Sequence, residues 1–144
     1  MSELTADPAV TVCFKVKIEH HDLGAFTGCE GLGCEVQIEQ REEGGNNAFV
    51  HQLPSRLKYP NIKLTRPVNK DTREVASWFA SMVNGVKRTT ACIVALTADG
   101  TEVMDWKLDG VVPVRWQGPS LNVDSPKVAI ETLELAHHGF LPNA

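Results

Sequence analysis

Val10-Thr11-Val12-Cys13-Phe14-Lys15-Val16-Lys17-Ile18 carries an apolar side chain at every second position over nine residues. Successive side chains of an extended chain point to opposite faces, so the stretch predicts a half-buried β-strand. Val12, Phe14 and Val16 take the core side, and Lys15 and Lys17 take the other. A second alternation sets Cys34, Val36 and Ile38 against Glu35, Gln37 and Glu39, and the same argument sends the first three inward. Gly44-Gly45-Asn46-Asn47 ends that pattern with turn formers. Beyond a short apolar piece at Phe49 to Leu53 comes Pro54, so residues 44–60 read as one long irregular loop of the kind that does work at a surface.

Further along, Asp71-x-x-Glu74 has the form of a capping box, and Val75, Trp78, Phe79, Met82 and Val83 recur at helical spacing until Gly85. The spacing predicts a helix over 71–84 whose single apolar stripe needs a sheet to cover. Ala91 to Leu96 is apolar on both faces, and Asp99-Gly100 supplies a tight turn into Val103 to Leu108, which makes a hairpin whose first strand is buried on both sides. Two more strands follow at Val111 to Trp116 and Lys127 to Ala136. In the second of these the apolar parity slips between Ile130 and Leu133, as a bulge or double coverage would cause. Many short strands around one helix make a mainly β protein, a small antiparallel β-barrel or sandwich with one flanking α-helix. Residues 1–144 read as one domain, with 1–8 as a flexible N-terminal arm.

With 144 residues the chain is long enough to bury a core without staples. Its 14 Lys+Arg against 18 Asp+Glu, a net charge of -4, offer no broad basic face for a nucleic-acid backbone. The first residues, Met1 to Asp7, hold acids where an export signal needs bases, and no apolar run reaches bilayer length, so cytoplasmic folding without membrane insertion is expected. Cys13, Cys29, Cys34 and Cys92 lack the spacing of a zinc knuckle or redox pair and read as buried free thiols. His20-His21 and His137-His138 are adjacent pairs at strand ends, which places the two rings of each pair on opposite faces, and His51 stands alone. No metal, cofactor or disulfide is expected. Gly28-Cys29-Glu30-Gly31-Leu32-Gly33 lacks the spacing of a dinucleotide fingerprint and reads as a bend or bulge. Trp78 and Trp106 fall on core stripes, and nothing beside Cys29 or Cys34 would activate a thiol, so no catalytic residue is assigned.

Two sets of motifs carry a family resemblance. The first is Gly31-Leu32-Gly33-Cys34-Glu35-Val36, then Arg41-Glu42-Glu43-Gly44-Gly45-Asn46-Asn47, then Leu53 to Arg66. The second is Pro113 to Asn122 with Thr132 to Gly139. Together they resemble the tail-tube proteins of contractile phage tails and phage-derived contractile injection systems over about Val10 to Phe140. Ser55 and Pro67 stand where members usually have Gly. The resemblance implies a structural, non-enzymatic subunit. Its hexameric rings would stack into a hollow tube inside a sheath, in company with baseplate, spike and tape-measure or cargo proteins.

In such a ring the long loop would reach neighbouring subunits, through Arg41, Gly44, Gly45, Asn46, Asn47, Arg56 and Tyr59. The polar strand faces, Lys15, Lys17, Glu35, Gln37 and Glu39, would line the channel. A baseplate paralogue that initiates the tube would share these features. A small metal-binding or hydrolytic β-barrel enzyme is the alternative of another class.

Overall fold

The computed structural model of the chain describes residues 10–41, 51–119, 121, 123–124 and 128–142. Its strands are β1 (Cys13–Ile18), β2 (His21–Phe26), β3 (Gly28–Glu30), β4 (Glu35–Arg41), β5 (His51–Lys58), β6 (Ile62–Pro67), β7 (Thr89–Leu96), β8 (Glu102–Gln117), β9 (Ile130–Ala136) and β10 (Gly139–Phe140); the helix α1 (Thr72–Ser81) lies between β6 and β7. The N-terminal arm 1–8 and the turn formers at 44–47 lie outside the described residues.

Antiparallel pairing runs in the order β2-β1-β7-β8-β9-β6-β3, with β10 beside β8, while β4 and β5 pair only with each other. Two bent strands turn this path into a closed barrel. One is β8, whose first half pairs with β7 and whose second half pairs with β9. The sequence divides it at Gly110 into two predicted strands, but the chain stays extended there. Gly110 has φ +60°, and an added Cβ would lie 2.6 Å from Nδ1 of His138, so glycine lets the strand turn from one sheet into the other without ending. The other corner is β2 and β3, joined at Thr27, whose N–H donates to the carbonyl of Thr65 at 2.9 Å.

The core follows from the alternation. Val16 and Ile18 on β1, Leu23 and Phe26 on β2, Ile62 and Leu64 on β6, Ile93 on β7 and Leu133 and Leu135 on β9 are fully buried, and α1 adds Val75 and Trp78. Each such side chain contributes about 1.5–3 kcal/mol on leaving water. The outer side of β7 departs from expectation, because Cys92, Val94 and Leu96 are only half-buried.

The parity slip on β9 has a chemical cause. Inward positions are Glu131, Leu133 and Leu135, and the exposed residue is Ile130. Glu131 is wholly buried beside Arg66, its partner across β6 and β9, with Nε of Arg66 3.5 Å from Oε2. The indole N–H of Trp116 donates to Oε1 at 3.1 Å, and the hydroxyl of Thr72, the first residue of α1, donates to Oε2. Arg66 also donates to the carbonyls of Leu23 and Ala25, with its guanidinium 4.1 Å above the Phe26 ring centroid. An acid occupies an apolar slot because a buried arginine faces it, and the pair pins the helix start to the sheet.

Two further expectations change. The helix begins at Thr72, and Asp71 makes no side-chain cap. Instead the Asn69 side chain accepts the Asp71 N–H at 2.7 Å, and Glu74 lies 3.4 Å from Nδ1 of His21. Residues 51–58, expected within an irregular loop, form strand β5. Pro54 does not stop it, because a register shift sets Pro54 opposite Ile38 at a bulge in a two-stranded ribbon, where a missing N–H is tolerated.

Candidate assembly surface

The ribbon formed by β4 and β5 is the least covered part of the described structure. Side chains of directly paired residues share a face. Val36 stands opposite Leu57 and Ile38 opposite Pro54, while Glu35 faces Lys58 and Gln37 faces Arg56. One ribbon face is therefore apolar and the other charged. The sequence sends Val36 and Ile38 to the subunit core; the structure corrects this. Val36 is 46% exposed, Ile38 53% and Leu57 56%, and Cys34 is exposed just ahead of β4. A lone two-stranded ribbon is marginal in water, and a bare apolar stripe on it calls for a cover.

The roots of the ribbon are fixed. Gly31 leaves β3 with φ +94°, where a Cβ would lie 2.2 Å from the backbone oxygen of Asn61, so the two ribbon legs approach too closely for any side chain. Tyr59 is half-buried at the other leg, its ring 5.4 Å from that of His137 and 5.8 Å from that of Phe140. His137 is buried and its Nδ1 accepts the Gly139 N–H at 3.1 Å. Burial pushes its pKa down, and that hydrogen bond opposes the shift. Its neighbour His138 is exposed, so the two rings part to opposite sides of the chain as strand geometry requires.

Among the sequence-assigned surface residues, Arg56 is exposed on the ribbon's charged face and Arg41 ends β4 opposite His51. Gly44, Gly45, Asn46 and Asn47 lie outside the described residues. Lys15 and Lys17 are exposed on the outer face of β1, where Lys17 pairs with Asp22 on β2 and with Cys92 on β7, and Cys92 in turn pairs with Lys107 on β8. Lys15 pairs with Val94, and Val94 with Asp105. Glu35, Gln37 and Glu39 are exposed on β4, so the lysines and these residues belong to two separate sheets.

The thiols are free, and Cys13, Cys29 and Cys92 are half-buried rather than buried. Burial, with Glu30 beside it, pushes Cys29 up to about 11. Among the described residues no group of three His, Cys, Asp or Glu side chains converges on a point, and no helix is long and apolar enough to cross a membrane. The residues that sequence reasoning missed are Arg66 and Glu131, and the parity slip at Ile130 was their one visible trace.

A closed barrel with a flanking helix and a detached ribbon defines a class of protein. The fold matches a chain of an extracellular contractile injection system, the PVC sheath-tube complex in the extended state, with TM-score 0.77, 21% identity, and 98% and 97% of the two chains covered. It matches a chain of the anti-feeding prophage baseplate with TM-score 0.76, 23% identity, and 95% and 96% covered. Hcp1 from Salmonella typhimurium is more distant, with TM-score 0.51, 14% identity, and 89% and 83% covered. The chain belongs to the T4-like virus tail tube protein gp19 family, whose profile matches residues 10–141. It is a structural tail tube protein. No curated protein sequence matches it.

Proposed function

We propose that the chain is a non-catalytic subunit that forms six-fold rings, and that these rings stack head to tail into a hollow tube inside a contractile sheath. The observation that carries this reading is the ribbon, an apolar strand face held out from a barrel that is otherwise closed. A subunit whose ribbon seats on a different patch of its neighbour makes a heterologous contact, which extends without closing. The ribbon and the residues between its two strands, including Arg41, Gly44, Gly45, Asn46, Asn47, Arg56 and Tyr59, supply contacts between subunits. The exposed outer face around Lys15 and Lys17 lines the channel, joined by Glu35, Gln37 and Glu39. Its mixed signs hold a passing protein weakly, since exposed ion pairs are worth about 0–1 kcal/mol. The particle, a phage tail or a dedicated injection system, assembles in the cytoplasm with sheath, baseplate, spike and tape-measure or cargo proteins.

Negative-stain microscopy and light scattering of the purified protein test this directly. Rings and tubes whose mass rises with concentration are expected; a concentration-independent monomer overturns the reading. The likeness to a baseplate chain favours a second reading, a tube-initiating paralogue. Such a protein stops at single rings when purified alone, whereas the tube subunit grows.

A further inference from the structure

The angle at which the ribbon leaves the barrel is set at its two roots. Among the described residues β4 and β5 pack extensively only on each other, so no broad contact props the ribbon from the side. A ribbon on two flexible legs would swing, and each swing would turn its apolar face out of the orientation that a neighbour can receive. The legs here are built otherwise. At residues 31 and 61 they meet backbone to backbone, since the position of a Cβ on Gly31 lies 2.2 Å from the Asn61 oxygen and 3.2 Å from Cα of Ile62. This contact is a point and serves as a pivot, holding the legs together without choosing the angle about it. Beside the pivot, on the β5 leg, stands Tyr59. Its ring lies over Gly139, where φ is +131° and an added Cβ would come 3.0 Å from Cζ of the ring. His137 and Phe140 form the other two walls, with ring centroids 5.4 and 5.8 Å from that of Tyr59 and 5.4 Å from each other.

This seat is fastened to the barrel. Gly139 and Phe140 pair with Asp109 and Leu108 of β8, and the N–H groups of His138 and Leu141 donate to the carbonyls of Asp109 and Lys107, both at 2.8 Å. Asn61 adds a tie of its own, its Nδ2 donating to Oε2 of Glu134 on β9 at 2.9 Å. We propose that Tyr59 is a latch that fixes the ribbon's angle before any neighbour is met, with residues 137–140 as its seat. Tyr59 is then a positioning residue, which acts on assembly through the ribbon it aims. The latch is a property of the single subunit; its consequence rests on the stacked-tube reading. A subunit whose ribbon is already aimed loses less freedom on joining its neighbours, so tubes grow from a lower concentration. A ribbon that held the fitting angle about a tenth of the time would need about ten times as much protein.

The test reads the angle and the assembly separately. In dissociated subunits labelled with heavy nitrogen and weakly aligned, the amide dipolar couplings of residues 35–41 and 51–58 should fit the same alignment as those of β1, β7 and β8. In Tyr59→Ala they should shrink and no longer fit it, while Tyr59→Phe, which keeps the ring, should match wild type. Tube growth should follow, with Tyr59→Ala needing about tenfold more protein and Tyr59→Phe no more than wild type. A second variant inserts two glycines between Lys58 and Tyr59, which leaves the ring in its seat and slackens the leg, so it reports even where Tyr59→Ala does not fold. It should release the couplings and raise the growth concentration as much, with thermal unfolding of the subunit unchanged. Wild-type ribbon couplings that already depart from those of the barrel, or couplings that stay put in the variants while stability alone falls, overturn the latch. Released couplings with unchanged growth overturn its part in assembly. Wild-type protein that stays monomeric overturns the tube, and the couplings then still decide the latch.

Discussion

The barrel strands and the ribbon strands are written in the same alternating pattern, yet they end in opposite situations. On β1, Val16 and Ile18 join one buried cluster with residues of β6, β9 and α1, and Phe14 packs against it. On β4, Val36 and Ile38 stand against Leu57 and Pro54 of their own ribbon, outside the buried cluster, and stay about half exposed. Alternation therefore fixes which residues share a face and leaves open what covers that face. In the barrel the cover comes from the same chain; over the ribbon face the described residues of that chain supply none.

That contrast can be broken first at the buried pair. Glu131→Ala leaves the Arg66 guanidinium in the core without its acid and without the Thr72 and Trp116 bonds. A loss of about 3–5 kcal/mol in urea unfolding is expected, and a loss below 1 kcal/mol means that the pair is not what ties β6, β9 and α1 together. The thiols sharpen the comparison next. Cys34 lies exposed at the ribbon root, whereas the Cys29 thiol on β3 is half-buried and raised to about 11. Alkylation at neutral pH, followed by peptide mapping, should modify Cys34 faster than Cys29 by roughly a hundredfold. Equal rates would show that β3 opens readily.

A smaller effect is expected from pH. Burial depresses the pKa of His137 below the ordinary histidine value of 6.5. The unfolded chain then binds the proton more readily than the fold, so the neutral imidazole's contribution is complete above 6.5. It drains away as pH falls from that value through the depressed folded one. His137→Phe should flatten the acid limb of stability between these two points, read by thermal unfolding across a pH series. An unchanged acid limb would assign it to other groups. The smallest stability change belongs to the ribbon. Val36→Ser should alter unfolding of the dissociated subunit by less than about 0.5 kcal/mol, as at exposed sites generally, while impairing tube growth. A large loss of subunit stability would mean that the ribbon is held by its own barrel.

Much of this fold was legible from Val10 to Ile18, from the Asp99-Gly100 turn and from the helical spacing of Val75 and Trp78, because each feature is local and repeats with its element's period. What was not legible required knowing a distant partner. The parity slip between Ile130 and Leu133 reads as a bulge or double coverage until Arg66 is brought beside Glu131 from 65 positions away. Pro54 reads as a stop until Ile38 opposite it shows where the bulge sits. Of the candidate site, the sequence read β4 as an alternating strand and drew the residues of β5 as part of a loop. It sent the apolar side of β4 inward because nothing in one strand says whether a second layer exists.

The pairing of β1 with β7 sets the order in which this subunit can come into being. Residues 13–18 receive their second neighbour from residues 91–96, so about two thirds of the chain has to leave the ribosome before the first strand is flanked on both sides. The β6–β9 ladder reaches nearly as far along the chain and closes later, joining Ile62 to Leu135. Loop closure of this kind precedes its reward and slows folding. The ribbon, by contrast, joins residues 35–41 to 51–58 and can zip as soon as both have emerged. A nascent subunit therefore displays a sticky hairpin while its barrel is still open, and the time between those two events is when premature association between growing chains has to be avoided.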